Sequence, residues 1–381
     1  MNEIELTKSL INFQSVTPKN DGILDFLENQ LSAVGFNCKR YKFSDTNTPD
    51  VDNLYAKYGK DNPNFCFGGH TDVVPVGDKL AWSFDPFEGI ENNGKIYGRG
   101  SSDMKSAIAA FICAAKEFID NNKFKGSISL LITNDEEGPA LNGTKKVLEK
   151  IYSEGEKIAS CLVGEPTSPK NIGEMIKIGR RGSLMVTIKI IGKQGHVAYP
   201  QWNSNPIDPL NKIIYELNSL ELDEGSNEFP PSNIEFVNIG SSEGATNVVP
   251  NNASGQLNIR FNTHHTSSSL NKMISEIVEK HTKNSDYEAN IESYCTAEPF
   301  LTERGDFTNI IKKSVDEVTG RKSDFSTTGG TSDARFFKDY CEVVEFGLVG
   351  ESAHQIDENV KVEDISTLKN IYKTILKNYF I

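Results

Sequence analysis

Five short segments of this chain carry imidazole and carboxylate side chains whose types suit metal-assisted hydrolysis. Each follows an apolar, strand-like run, and they lie at residues 69–72, 103–105, 135–138, 164–166 and 353–355. Parallel sheets present side chains to a ligand at the carboxyl ends of their strands. Imidazoles and carboxylates without cysteine suit a pair of borderline-hard divalent cations. Two metals that share a carboxylate can activate one water, so this set predicts a hydrolase.

The first segment contains His70-Thr71-Asp72 at the end of an apolar run. On an extended strand the side chains of His70 and Asp72 point to the same side. The carboxylate could then hold one ring nitrogen while the other binds a metal. Taken alone the tripeptide is a weak signal, because most loop histidines bind no metal. Asp103 is weaker still, since an aspartate before a helix is commonly an N-cap.

Glu136 and Glu137 follow the apolar run 127–133, and a nearby cation is one way to relieve the repulsion between their adjacent carboxylates. With metal present, one can be a ligand and the other a general base. The simpler alternative for this pair is a solvated acidic turn. By the same reasoning, Glu165 could be an ordinary loop residue and His354 a surface histidine. Taken together, the segments favour a metal site, because all lie at strand ends of one domain.

The remaining histidines divide into two groups. His196 follows a strand and a glycine-containing turn that could project it outward. His264, His265 and His281 are predicted to be structural or solvent-facing, because they lie near no carboxylate cluster.

The order of predicted elements indicates how these segments are positioned. Continuous apolar strands that alternate with helices indicate a parallel sheet covered on both faces. In the first part of the chain, strands are predicted at 65–67, 127–133 and 159–163, and helices at 23–34 and 104–118. Helix–strand alternation returns near the end of the chain, with a helix at 309–318 and a strand at 343–348.

The middle of the chain has a different pattern. Apolar residues alternate at 184–190, which is typical of a half-exposed strand. The order β-α-β-β-α-β predicts a two-layer unit. We therefore predict an α/β fold with a mostly parallel sheet and helices on both faces, interrupted by a smaller α+β lid or dimerisation domain. The predicted boundaries are 1–180 and 298–381 for the catalytic domain and 181–297 for the insert.

Composition excludes several classes of protein. The net charge of −13 over 381 residues argues against nucleic-acid binding, which needs a basic surface. The longest apolar stretch, 107–115, is too short to cross a bilayer. The acidic N-terminus does not have the pattern of a signal peptide. The six scattered cysteines indicate small buried side chains in a reducing compartment, so a cytoplasmic location is expected.

The chain also resembles a known family, the zinc aminoacylase/carboxypeptidase family of co-catalytic metallohydrolases, nearly from end to end. The resemblance rests on GHTDVVP (69–75), WS (82–83) with DPF (85–87), YGRGSSDMK (97–105), DEEG (135–138), GEPT (164–167), GRRGS (179–183), GHVAYP (195–200), TNVVP (246–250), GGTSD (329–333) and HQ (354–355). Ser106, Gly350 and Asp357 depart from the family's common pattern.

The resemblance implies two divalent metal ions per subunit, zinc with cobalt as the alternative. Asp103 would bridge the two ions. The other ligands would be His70 and Glu165 for one ion and Glu137 and His354 for the other.

The resemblance also implies roles around the metals. Glu136 would be the general base, and Asp72 would orient His70. His196 would reach the active site of a partner subunit and stabilise the oxyanion, which implies a homodimer. The implied substrate contacts are Arg181, Asn247, Arg260, Gly330, Thr331 and Ser332, with the arginines suited to carboxylates.

Within the family, the segments RRGS and GGTSD favour the desuccinylase branch over the arginine-pathway deacetylase. That branch hydrolyses N-succinyl-L,L-2,6-diaminopimelate, a small-molecule substrate of lysine and diaminopimelate biosynthesis, to succinate and L,L-2,6-diaminopimelate. Two alternatives stay open. One is another N-acyl-amino-acid deacylase, such as an N-acetylornithine deacetylase or an aminoacylase. The other is a non-catalytic metal-binding dimerisation protein, which predicts the loss of a ligand or base.

Overall fold

The structure, a computed structural model, describes residues 1–242, 244–283 and 286–381. They form two compact units. The first comprises Met1–Ile178, Thr302–Ser326 and Ser332–Ile381, and the second comprises Gly179–Leu301 with Thr327–Thr331. Among the described residues, no helix has the length and apolar character needed to cross a membrane.

The regular elements of the described chain are named in chain order. The helices are α1 (Glu3–Ile11), α2 (Ile23–Ala33), α3 (Lys105–Asn121), α4 (Thr144–Ser153), α5 (Ile207–Asn218), α6 (Ser267–Thr282), α7 (Asp306–Thr319), α8 (Ala334–Phe337) and α9 (Val362–Phe380), with short 3-10 turns at Lys79–Ala81 and Pro200–Trp202. The strands are β1 (Asn37–Phe43), β2 (Val51–Gly59), β3 (Asn64–His70), β4 (Ile90–Asn92), β5 (Lys95–Tyr97), β6 (Ser127–Thr133), β7 (Ser160–Val163), β8 (Met175–Lys177), β9 (Gly179–Arg180), β10 (Gly182–Ile191), β11 (Gly195–His196), β12 (Asn233–Ser241), β13 (Val248–Val249), β14 (Asn252–Phe261), β15 (Glu288–Ala297), β16 (Phe300–Leu301), β17 (Asp324–Ser326), β18 (Glu342–Glu345) and β19 (Asn359–Lys361).

The first unit is built on a mixed, mostly parallel sheet with the order β1-β2-β6-β3-β7-β18-β8-β17. Strands β6, β3, β7 and β18 run parallel, with Phe67 opposite Leu130 and Leu162. Their side chains are almost all buried, as expected for strands covered on both faces. The predicted parallel sheet is therefore confirmed at its centre.

Helix α3 is the central buried helix of this unit. It packs against α1 and α9, and its residues from Lys105 to Ala115 are all buried. Ala107, Ala110 and Ala114 are fully buried, and such small side chains allow close approach of the neighbouring helices. This dense packing fixes the start of α3 and therefore the position of Asp103 in the loop just before the helix.

The second unit contains an antiparallel sheet with the order β12-β14-β10-β15, covered on one face by α5 and α6. Leu184, Val186, Ile188 and Ile190 alternate inward along β10 and are fully buried. They join residues of both helices in one core, and each such buried side chain contributes about 1.5–3 kcal/mol. The predicted order of strands and helices in this segment is confirmed.

The described cysteines carry no disulfide, and their burial differs from the expectation. Cys66, Cys113 and Cys161 are buried, as expected. Cys38, Cys295 and Cys341 are partly exposed, so the prediction of six buried side chains is wrong for these three. Cys38 and Cys295 lie on β1 and β15, which are outermost strands of their sheets and are covered less completely than central strands.

Candidate functional site

The site lies at the carboxyl edge of the parallel strands of the first unit. His70 ends β3, directly opposite Thr133 at the end of β6. Glu136 and Glu137 follow β6, and Glu165 follows β7. Because these strands run parallel, their carboxyl ends meet at one edge of the sheet, where α/β folds bind ligands.

Gly347 explains how a neighbouring segment supports Glu165. A Cβ atom at Gly347 would lie 2.4 Å from the main-chain oxygen of Gly164 and 2.5 Å from that of Glu165. Only glycine allows this close approach. The strand predicted at 343–348 accordingly ends at Glu345, and the chain continues as a buried segment against the Glu165 loop.

Asp103 and His354 reach the same edge from loops. Asp103 is not the N-cap of α3, because Met104 occupies that position, so the simpler interpretation of this aspartate is wrong. His354 has a φ of 63°, in the left-handed region that residues with a Cβ rarely adopt. Such costly backbone conformations concentrate at functional sites.

Two groups of side chains share Asp103. The Nε2 atom of His70 lies 3.2 Å from Oδ1 of Asp103 and 3.7 Å from Oε1 of Glu165. The Nε2 atom of His354 lies 3.3 Å from Oδ2 of Asp103 and 2.8 Å from Oε1 of Glu137. In each group, one ligand atom per residue falls within 4.8 Å of the others. The structure thus brings together all five residues that the sequence proposed as metal ligands.

The other ring nitrogen of His70 is held by the main chain. Its Nδ1 lies 2.9 Å from the carbonyl oxygen of Asp72, whereas the Asp72 carboxylate is 3.7 Å away. The carboxylate instead accepts hydrogen bonds from the main-chain N–H groups of Glu136 (3.2 Å) and Glu137 (3.0 Å). Asp72 therefore orients His70 through its carbonyl and holds the Glu136–Glu137 turn through its side chain. With Nδ1–H donating, Nε2 keeps a lone pair for a metal.

Glu136 lies within the same cluster, grouped with His70 and Glu137. Burial raises the pKa of its carboxyl well above the ordinary value, and the nearby carboxylates of Asp333, Glu137 and Asp103 add to the shift. A group with these surroundings binds a proton readily, as a general base must.

Burial and neighbouring groups shift the pKa values of several ligand residues, in different directions. Hydrogen bonds to Asp103 and Glu137 raise the pKa of His354 to about 10. Burial, followed by the charge of Asp103, raises the pKa of Glu165 well above its usual value. Burial opposes ionisation of Asp103, yet the hydrogen bonds from His354 and His70 keep its pKa below the ordinary value.

This donor set fits a pair of divalent cations. Each group offers one imidazole nitrogen and two carboxylate oxygens, and Asp103 contributes one oxygen to each. Nitrogen and oxygen donors of this kind suit zinc or cobalt, and shared carboxylates are typical of two-metal sites. The buried carboxylates that repel one another would be neutralised by the positive charge.

In the second unit, His196 is exposed beside Asn247. The pairing of β11 with β13 places His196 opposite Val248, and the main-chain N–H of Val197 donates to the carbonyl of Asn247 at 3.1 Å. The Nδ1 atom of His196 accepts a hydrogen bond from the N–H of Ala198 at 3.1 Å. A neutral ring must then carry its proton on Nε2, which leaves an exposed donor.

The two predicted substrate arginines lie close together in this unit. Burial, and after it the charge of Arg181, lowers the pKa of Arg260. Arg181 donates to Oδ1 of Asn233 at 3.0 Å, while its buried Nε has no hydrogen-bond partner among the residues that the structure describes. In the described part of the chain, neither guanidinium forms an ion pair with a carboxylate.

The three remaining substrate residues behave differently from one another. Gly330 is exposed and Thr331 is partly exposed, both in the second unit. Ser332 is buried in the first unit, and its hydroxyl donates to Oε1 of Glu345 at 2.5 Å. The Ser332 hydroxyl is therefore not free to donate to a substrate, because it already donates its hydrogen bond to Glu345.

Sequence reasoning missed two carboxylates near the site. Asp333 is buried and close enough to Glu136 to raise its pKa, and Glu358 accepts the main-chain N–H of Asp103 at 3.2 Å. The sequence pointed to Asp333 only through its place in the GGTSD segment. It pointed to Glu358 only through the closeness of this residue to His354 in sequence. His265 and His281 each contact a carboxylate, Asp223 and Glu216, so they are structural and paired.

Comparison with known proteins identifies close relatives. A profile described as peptidase family M20/M25/M40 matches residues 66–378. Succinyl-diaminopimelate desuccinylase of Parvibaculum lavamentivorans is 48% identical over 377 residues, which cover 99% of this chain and 95% of the relative. The enzyme of the same name from Pelagibacter ubique is 47% identical over 380 residues and covers 100% of this chain and 99% of its own.

Solved structures show the same fold at lower identity. The M20 family metallo-carboxypeptidase Sso-CP2 from Sulfolobus solfataricus has a TM-score of 0.78 at 19% identity and covers 100% of this chain and 99% of its own. The Bacillus subtilis YXEP protein, titled a dinuclear metal binding peptidase from the M20 family, has a TM-score of 0.73 at 14% identity and covers 100% of this chain and 98% of its own.

Proposed function

The chain belongs to peptidase family M20/M25/M40, and we propose that it is a metal-dependent succinyl-diaminopimelate desuccinylase. The proposed reaction is hydrolysis of N-succinyl-L,L-2,6-diaminopimelate to succinate and L,L-2,6-diaminopimelate. The observation that carries the proposal is the sharing of Asp103 between the His70–Glu165 and His354–Glu137 groups, with Glu136 beside them. Relatives that match nearly the whole chain at 47–48% identity carry this name.

Two divalent cations, zinc or cobalt, would be held by His70, Asp103, Glu137, Glu165 and His354. When bound, such ions would lower the pKa of a coordinated water to about 7 and polarise the amide carbonyl. YXEP is titled a dinuclear metal-binding protein, which supports two ions rather than one.

Glu136 would transfer the protons of the reaction. Its carboxylate accepts a proton from the attacking water as the water oxygen bonds to the succinyl carbonyl carbon. It then returns that proton to the amide nitrogen as the C–N bond breaks, which releases the free amine and succinate. Asp72 holds the Glu136–Glu137 turn in place through the two main-chain N–H bonds.

His196 would stabilise the oxyanion that forms on the carbonyl oxygen. Its Nε2–H is free to donate because Nδ1 already accepts from Ala198. We propose that it acts in the active site of a partner subunit, so the enzyme would be a homodimer. The segment 181–297 would serve as lid and dimer surface. The exposure of His196 in the second unit supports this arrangement. A cytoplasmic location is also proposed.

Arg181 and Arg260 would select the succinyl substrate. The two positive charges are close enough to affect each other, and among the described residues the buried Nε of Arg181 has no hydrogen-bond partner. Both features favour a ligand with carboxylates. N-acetylornithine deacetylase activity is the second candidate function, because it needs the same metal chemistry. It differs in that the acyl group of its substrate carries no carboxylate.

The deciding experiment is an assay of the zinc-loaded protein with N-succinyl-diaminopimelate, N-acetylornithine and N-acetyl-diaminopimelate. We expect kcat/KM to be highest for the succinylated substrate, and a chelator to abolish the activity. A preference for acetyl substrates would favour the deacetylase. No hydrolysis of any of them by protein that holds metal would favour a non-catalytic role.

A further inference from the structure

Arg99 and Glu358 form a buried ion pair that contacts the loops carrying Asp103 and His354. Their side chains are 3% and 1% exposed, and Nη1 of Arg99 lies 2.8 Å from Oε2 of Glu358. We infer that this pair positions the loops that carry Asp103 and His354, and thereby sets how tightly the site binds its metal ions. The inference rests on the proposed metal-dependent function and assigns a role to two residues that have none in it.

Glu358 holds the Asp103 loop by its main chain. Its Oε1 accepts hydrogen bonds from the N–H of Ser102 at 2.9 Å and the N–H of Asp103 at 3.2 Å. Its other oxygen is taken by Arg99, so both carboxylate oxygens are used. Hydrogen bonds from N–H groups to an ionised acceptor are stronger than those between neutral groups. This carboxylate therefore fixes the backbone from which the shared ligand projects.

Arg99 holds the His354 loop in the same way. Its Nη1 also donates to the carbonyl of Gln355 at 3.1 Å, and its Nη2 lies 3.5 Å from the carbonyl of His354. Nη2 also donates to the carbonyl of Pro75, downstream of His70, at 3.3 Å. The guanidinium carbon lies 5.1 Å from the ring centre of Trp82, which fixes the plane of the fork.

The pair therefore links main-chain atoms at or near three metal ligands, His70, Asp103 and His354. Residues that orient metal ligands without touching the metal typically change affinity or activity 10- to 100-fold when altered. A general stabilising role would predict a different pattern, namely lower stability with unchanged metal affinity. Ser102 is also tied to the carbonyl of Val349 by its own hydroxyl, so the loops keep other support when the pair is weakened.

The Lys57–Glu156 pair is a suitable control. Its side chains are 20% and 22% exposed, its N–O distance is 2.6 Å, and it lies in the same unit. Glu156 also accepts hydrogen bonds from Asn64 and from the main-chain N–H of Lys157, and neither residue is a proposed metal ligand. Removing its charge should lower stability without altering the positions of the ligands.

The test compares Glu358→Gln, Glu156→Gln and the wild type. Glutamine keeps the size and one acceptor oxygen but loses the charge and places N–H groups against Arg99. We expect Glu358→Gln to bind Co²⁺ roughly 10- to 100-fold more weakly by calorimetric titration, with Glu156→Gln unchanged. In the metal-free protein, hydrogen exchange at the amides of Ser102 and Asp103 should be faster in Glu358→Gln alone.

Arg99→Lys provides a second variant should Glu358→Gln fail to fold. Lysine keeps the positive charge but cannot form the fork that reaches three carbonyls, so weakened Co²⁺ binding is expected here too. Co²⁺ affinity within about twofold of wild type in the folded variants would overturn the inference and leave the proposed function intact. A wild-type protein that binds no divalent ion would overturn both.

Discussion

The Nε2 atom of His354 lies 3.3 Å from Oδ2 of Asp103, while the other oxygen of the same carboxylate faces His70 at 3.2 Å. One aspartate thus joins two groups of potential ligands that reach it from distant parts of the chain. Each group has its own imidazole and its own glutamate. The arrangement accounts for the proposed hydrolysis, because it provides for two cations around one reacting water.

Glu136→Gln should remove turnover while leaving metal binding in place. Glutamine has nearly the same shape but cannot accept the proton of water, so kcat should fall roughly 10²- to 10⁴-fold. The measurements are steady-state kinetics with the succinylated substrate and the metal content of the purified variant. Near-wild-type turnover in Glu136→Gln would show that another group is the base.

The stability of the metal-free protein should fall as pH rises. The pKa of Glu136 and that of Glu165 are raised by burial and by neighbouring carboxylates, and hydrogen bonds to carboxylates raise that of His354 to about 10. Groups with a raised pKa make the folded state bind more protons than the unfolded state. Their contribution is full below the unfolded pKa and is lost as pH rises through the folded pKa.

The measurement is the midpoint of thermal unfolding in chelator between about pH 6 and about pH 9, compared with Glu165→Gln. The variant has lost one of the raised groups, so its midpoint should fall less steeply. Asp103 does not affect the slope in this range, because a carboxyl with a lowered pKa changes stability only below its unfolded pKa. Burial lowers the pKa of Lys105 to about 7, so this group acts in the opposite direction, and it is present in both proteins. An equal or steeper fall in Glu165→Gln would contradict the assignment.

His196→Ala should lower kcat by roughly 10²- to 10³-fold, because one donor to the oxyanion is lost. His264→Ala is the matched control, since it changes a histidine of the same unit to which no catalytic role is assigned. If the histidine acts across a dimer, mixing His196→Ala with Glu136→Ala subunits should restore part of the activity. After verified exchange of subunits, a mixture as inactive as its components would argue against a shared site.

Arg260→Lys should raise KM for the succinylated substrate with little effect on kcat. Lysine keeps the charge but cannot form two parallel hydrogen bonds to a carboxylate. The loss should be smaller for an N-acetyl substrate, so the ratio of the two kcat/KM values is the quantity to measure. An equal loss on both substrates would mean that Arg260 does not read the succinyl carboxylate.

The central strands and the ligands were predictable from the sequence because the same pattern, an apolar run followed by a histidine or carboxylates, marks both. Strands β3, β6 and β7 each contain an apolar run and are almost wholly buried; His70 ends β3, and Glu136–Glu137 and Glu165 follow β6 and β7. Strands β1 and β2 were not predicted. Strand β1 has exposed and partly buried residues, several of them charged, at the edge of the sheet, where it pairs antiparallel with β2.

Individual hydrogen bonds, made by main-chain or side-chain atoms, explain most of what the sequence did not reveal. The carbonyl of Asp72, rather than its carboxylate, holds the ring of His70. Ser332 has the residue type of a substrate contact, but its hydroxyl donates to Glu345. Asp357, one of the departures from the family pattern, accepts hydrogen bonds from both the N–H and the hydroxyl of Ser83 at 2.7 Å. Ser83 and Asp357 are far apart in sequence, so no spacing pattern predicts their contact.

The most direct measurement of the central claim is anomalous diffraction at the zinc edge from crystals grown with zinc. We predict two peaks, one near His70 and Glu165 and one near Glu137 and His354, each beside a different oxygen of Asp103. In Asp103→Asn both peaks should weaken, because the shared charge is lost. Zinc bound away from Asp103, or two full peaks in Asp103→Asn, would contradict the account.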